Sequence, residues 1–144
     1  MATALMYGRT VEHLFRKRVD WPGDGIKVML CTSAYTPNQD THQWKSDITG
    51  EVAGTGYTAG GVALANKTLT YTDATNQLTL KADNAQWANS TITARYAVIY
   101  DDSPATDAAK PLLGYIDFGA NQQSSAGTFE IVWNAQGIFQ VTVA

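Results

Sequence analysis

From Ile26 to Ala144 the chain reads as short β-patterned runs separated by turn residues, with no helical spacing between them. That order excludes alternating βαβ units and leaves a mainly β, single-domain antiparallel β-sandwich or barrel. "IKVMLCT" sets Ile26, Val28, Leu30 and Thr32 against Lys27, Met29 and Cys31, the pattern of a central strand covered on much of both faces. "VALANKTLTYT" and "QLTLKA", joined by the turn chemistry of Asp73 to Asn76, predict a hairpin. "TITARYAVIYDD" predicts a strand with Ala94, Tyr96, Val98 and Tyr100 on one face, stopped at Asp101, Asp102, Ser103 and Pro104. "LLGYIDF" comes next as a strand and "GANQQSSAG" as a polar loop; "TFEIVW" then aligns Phe129, Ile131 and Trp133. "NAQG", with Gly137 in a left-handed position, is expected to turn that strand into "IFQVTV" as a second hairpin.

The only helix pattern lies in the first twenty residues, capped by Thr10, with Val11, Leu14 and Phe15 as its apolar stripe and Arg16, Lys17 and Arg18 in its last turn. "DWPGDG" stops it. The domain therefore divides into an N-terminal arm and helix (1–25) and a β-sandwich (26–144) with a long loop over 33–61. At 144 residues it is long enough to bury a core of its own. Only 16% of residues are charged and the net charge is -3, which weighs against a nucleic-acid partner; five of the ten Lys and Arg fall in the first thirty residues. Cys31 is the single cysteine, so the chain has no internal disulfide and no Cys-based metal site. The expectation is a soluble chain made in a cytoplasm, without membrane partner or secretory leader.

"GEVAGTGYTAGGVAL", Gly50 to Leu64, carries five glycines in twelve positions, with Gly54, Gly56 and Ala59 at dinucleotide-loop spacing. Phosphate binding at such a loop needs a strand before it and a helix after it, and the flanking sequences offer neither. Val62 and Ala63 also stand where a Walker loop requires Lys and Ser or Thr. No cofactor site is expected, and its glycines read as backbone freedom. Cys31 reads as a buried inert thiol, His13 and His42 as surface or interface residues, and Asp101 and Asp102 as turn formers. Asp40 and His42 supply only two ligand types, too few for a metal. No catalytic constellation is expected. Tyr96, Tyr100, Phe129, Trp133 and Phe139 read as core. Tyr35, Trp44 and Tyr57 lie in irregular segments and are candidates for a contact surface or for pinning their own loop. The basic run Arg16 to Arg18 serves either an acidic partner or the helix dipole.

Taken together, "AYTPNQDTHQW", "GTGYTAGG", "ANKTLTY", "ITARYAVIYDD", "PLLGYIDFG" and "WNAQGIF" resemble a family of small structural proteins of tailed bacteriophages, of the capsid decoration, cement or minor capsid type. The resemblance runs from about Ile26 to Phe139. It implies a virion protein on the capsid exterior whose partner is the major capsid protein, and a homo-oligomer, a trimer being favoured. Arg9, Arg16, Lys17, Arg18, Tyr35, Trp44 and Tyr57 are the expected contacts. The alternative is a tail or fibre component, or a carbohydrate-binding module stacking sugars on Trp44 and Tyr57.

Overall fold

A computed structural model describes residues 1–144. The fold is mainly β: two antiparallel sheets packed as a sandwich, with one short helix near the N-terminus. The strands are β1 (Leu5–Met6), β2 (Ile26–Cys31), β3 (Val62–Ala63), β4 (Thr68–Thr72), β5 (Gln77–Lys81), β6 (Ala85–Asp101), β7 (Leu112–Ile131) and β8 (Phe139–Thr142), and the helix is α1 (Arg9–Phe15). The larger sheet runs β1-β7-β6-β2-β3 and the smaller β4-β5-β8.

β2 lies inside the larger sheet, as its two apolar faces demand. Ile26, Val28 and Leu30 point into the main core between the sheets, where Ala97, Ile99, Leu113, Ile116, Phe129, Ile131, Leu80 and Phe139 meet them. Met29 and Cys31 point the other way, into a second cluster with Tyr7, Tyr35, Val98, Tyr100 and Leu112. The hairpin about Asp73–Asn76 forms as β4 and β5, but its first half is divided: Val62 and Ala63 pair with β2 in the larger sheet.

Three expectations fail for physical reasons. "GANQQSSAG" is not a loop: β7 continues through it, paired with β6 at Ala94 to Gln122, Thr93 to Gln123 and Ile92 to Ser124. Its polarity marks an exposed stretch, and register shifts hide its alternation. Buried Ser90 secures that region by donating to the Trp87 carbonyl at 2.9 Å and meeting the Ser124 hydroxyl at 2.7 Å. One of those shifts, between Ala94 and Tyr96, turns the strand over. Ala94 consequently shares the core side with Ala97 and Ile99, while Tyr96 packs on the opposite cluster. The last two strands do not form a hairpin either. After buried Trp133 the chain crosses between sheets, and β8 pairs with β5. Gly137 does take the positive φ expected of it, +125°.

Candidate protein interface

α1 spans seven residues, about two turns, and Thr10 does not cap it. Thr10 lies inside the helix, fully buried, and its hydroxyl donates to the carbonyls of Leu112 and Leu113 at 2.9 Å each. His13, one turn on, is also fully buried, which corrects its placement on the surface. Its Nε2 lies 3.2 Å from the Gln43 carbonyl and its Nδ1 lies 3.2 Å from an Arg18 guanidinium nitrogen. A guanidinium only donates and a carbonyl only accepts, so the ring is neutral with its proton on Nε2. Burial, the largest influence, holds its pKa below the ordinary 6.5, with Arg18 acting in the same direction.

With Thr10 and His13 facing inward, the apolar stripe faces out. Val11, Leu14 and Phe15 are 48%, 38% and 86% exposed. Arg9 and Arg16 flank them, each 2.9 Å from a Glu12 carboxylate oxygen. Hydrogen bonds from Arg9 and Arg16 hold the Glu12 carboxyl below its usual range. The helix ends at Phe15, so Arg16 to Arg18 lie beyond its last turn. Arg18 N–H donates to the His13 carbonyl and Lys17 N–H to the Leu14 carbonyl, closing a Schellman motif. Lys17 occupies the position glycine favours there, at φ +58°. The turn leads the Arg18 guanidinium over the half-buried Trp44 ring, 5.4 Å from its centroid; that ring also meets His13 at 4.6 Å. Arg9, Arg16, Lys17, Arg18 and Trp44 thus share one region with Val11, Leu14 and Phe15.

Tyr35 and Tyr57 do not join them. Tyr35 is 1% exposed, a correction to its role as a loop contact. Tyr7 and Tyr35 hydroxyls lie 2.7 Å apart, and Tyr35 reaches His42 Nδ1 at 2.9 Å. That nitrogen also accepts the Asn38 N–H, so Tyr35 donates to it and Tyr7 donates to Tyr35. Burial pushes the Tyr35 hydroxyl up to about 12. His42 is half-buried in this chain of hydrogen bonds, not a free surface group.

Tyr57 is half-buried and pins its own loop. Its hydroxyl donates to Glu51 at 2.8 Å and accepts the Leu30 N–H at 3.0 Å, while its ring stacks on Trp87. Glu51 also accepts the Gly60 N–H at 2.6 Å, organising the glycine-rich segment from within. The glycines let that segment lie on the molecule's own sheet. At Gly61, φ is +81° and a Cβ would overlap the Val28 carbonyl; at Gly56, φ is +79° and a Cβ would stand 2.8 Å from the Asn89 carbonyl. The next element along the chain is β3, so the loop does not lead into a helix as a phosphate-binding loop would.

Elsewhere, Cys31, Asp101 and Asp102, singled out in the sequence, are buried or ion-paired. Cys31 is fully buried, and burial with Glu51 nearby pushes its thiol up to about 12. Asp101 is buried at the end of β6, accepting the Ser103 N–H; burial and the facing Asp24 carboxyl push it up to about 6. Asp102 bridges Lys27 and Lys110 at 2.7 Å each. No three His, Cys, Asp or Glu side chains converge as a metal site. The cleft of about 610 Å³ on the outer face of β4, β5 and β8 is walled by Thr68, Thr70, Thr72, Thr79, Gln77 and Gln140, with Lys81 its only charge. No helix is long and apolar enough to cross a membrane.

Sequence reasoning misses the exposed side chains of α1 as part of this surface. Their 11, 14, 15 spacing is visible, but an apolar stripe ordinarily marks the buried face. The signal for the reverse is Thr10 and His13 at helical spacing beside a cationic run. Comparison with protein-family models, with curated proteins and with solved structures finds no match to this chain.

Proposed function

We propose that the chain is a structural protein of a tailed-phage virion that binds the outer surface of the assembled capsid and stabilises it, with α1 as its contact surface. The reading combines the sequence resemblance with one observation: a helix that buries Thr10 and His13 and turns Val11, Leu14 and Phe15 outward among Arg9, Arg16, Lys17 and Arg18. An apolar centre with a charged rim is the anatomy of a protein interface, and cations at the rim favour an acidic surface on the major capsid protein. Protein bound only to the assembled shell lowers the free energy of that state by linkage, and many copies act together. No covalent step is involved.

Capsids lacking the protein, prepared from the phage that encodes it, test this directly. Purified chain should bind them and raise their rupture temperature. Phe15→Ser should weaken binding by about tenfold or more while leaving the melting curve of the free protein unchanged, because this side chain makes little contact with its own fold. Failure of the folded protein to bind, or unchanged binding by the variant, overturns the proposal or its contact surface respectively.

A further inference from the structure

Both sheets have edges, and all but one are blunted. β1 and β3 are two residues long. β7 carries Asp117 and Glu130 and is broken by register shifts, and β8 faces a groove shared with Thr3 to Met6. β4 has none of these devices. It pairs with β5 in unbroken register from Thr68–Lys81 to Thr72–Gln77, and all five of its residues are exposed. Its sequence, TLTYT, contains no proline, carboxylate or ammonium. Such an edge is a template for another strand.

The hydrogen bonds show which groups it offers. Val143 N–H donates to the Asn76 carbonyl and Ile138 N–H to the Leu80 carbonyl, so even-numbered residues of this segment face β8. By antiparallel alternation, Gln77, Thr79 and Lys81 bond to Thr72, Thr70 and Thr68, and the backbone groups of Leu69 and Tyr71 point to the open edge. Their side chains share a face with Leu78 and Val141. Leu69, beside Leu80 at the sheet edge, and Tyr71 and Val141, one row beyond the Leu80–Phe139 row that closes the core, are 47%, 46% and 37% exposed.

We propose that the occupant is a second copy of this chain, its β4 pairing antiparallel with the first across a two-fold axis at Thr70. The strand is chemically palindromic. Centred on Thr70, the pairing sets Leu69 against Tyr71 of the other copy and Thr68 against Thr72, like with like on each face. One step farther out it sets Lys67 against Asp73, opposite charges that make no ion pair within their own chain. Leu69 and Tyr71 exchange backbone hydrogen bonds with their counterparts, and the two small sheets become one of six strands. The contact is isologous and closes on itself, giving a dimer in place of the trimer favoured by the resemblance. It does not rest on the capsid reading, because the purified chain suffices to form it.

Sedimentation of the purified protein over a concentration series reads the result. The wild type should be a monomer–dimer equilibrium. Leu69→Lys, applied twice by symmetry, should raise the dimer dissociation constant by about tenfold or more. Lys67→Asp and Asp73→Lys should each weaken the dimer, and the double variant should restore it, a rescue that misfolding does not produce. Thr70→Cys should cross-link on oxidation, since facing residues at a non-hydrogen-bonded site lie within disulfide reach and Cys31 is buried. A monomer at all concentrations up to about 1 mM, a trimer, or a dimer that neither responds to the charge swap nor cross-links at position 70 overturns the proposal.

Discussion

The two faces of the larger sheet are covered in opposite ways. Its inner face meets apolar groups: Ile26, Val28, Leu30, Ala97 and Ile99 have no exposure, and Trp21–Phe139 and Trp87–Phe129 meet edge to face. Its outer face begins with Met29, Val98 and Leu112, but the cover above them is held by directed polar contacts: Thr10 to two carbonyls, His13 to Gln43, and Tyr7 through Tyr35 to His42. Apolar burial fixes how much surface is removed from water and leaves orientation to packing, whereas hydrogen bonds fix a helix in one rotation. That is how a seven-residue helix can turn its apolar stripe outward.

Truncating one group on each face separates the two modes. Ile99→Ala removes a fully buried side chain from the main core and should cost roughly 4 kcal/mol in chemical denaturation. Thr10→Val keeps the shape but leaves the Leu112 and Leu113 carbonyls without their hydroxyl donor, and should cost about 1–2 kcal/mol. Hydrogen exchange should distinguish them further: Ile99→Ala accelerates exchange throughout β6, Thr10→Val chiefly in α1. Equal costs with the same exchange pattern would show that the cover and the core act as one unit.

The same contrast explains how much of the fold is legible in the sequence. Strands whose side chains meet apolar partners announce themselves by period: β2, the Leu78–Leu80 alternation of β5, and the Phe129, Ile131, Trp133 alternation all stand where the pattern places them. Polar organisation does not. The middle of β7 escapes notice because its exposed residues include Gly119 at φ +79° and Ala126 at φ +48°, conformations that interrupt the period. Tyr35 looks like a loop contact because its partner Tyr7 lies 28 residues away. For Trp44, position in an irregular segment does identify a partly exposed residue of the candidate surface, and Arg9 to Arg18 stand out by charge alone. The orientation of α1 is signalled in the sequence only by Thr10 and His13 at helical spacing, because the carbonyls of residues 112 and 113 that fix it carry no sequence signature.

Lys17 tests how firmly the outer cover is fixed. A non-glycine residue at φ +58° carries steric strain that glycine lacks, and its side chain makes no ion pair. Lys17→Gly should therefore stabilise the protein by about 1 kcal/mol in denaturant titration, with the Schellman hydrogen bonds retained. A loss of stability would mean that the lysine stem packs against the cover and contributes more than the strain it imposes.

The smallest effect is that of a single proton on the cover. His13 is held neutral between Gln43 and Arg18, with its pKa below the ordinary 6.5, so the unfolded chain takes up the proton first as pH falls. Its contribution to stability is therefore complete above about 6.5 and is lost as pH falls from there toward the lowered value. Asp101, raised to about 6 from 3.8, works in the other direction: the folded state binds its proton more tightly, and that contribution is lost as pH rises through about 6. Overall melting temperature thus mixes two opposing terms, and the discriminating reading is local. Exchange protection of α1 should fall between about pH 7 and about pH 5 in the wild type, and much less in His13→Gln, whose amide has no basic nitrogen to protonate. If protection of α1 falls equally in both, the imidazole is not what ties the helix to residues 43 and 18, and Thr10 alone sets its rotation.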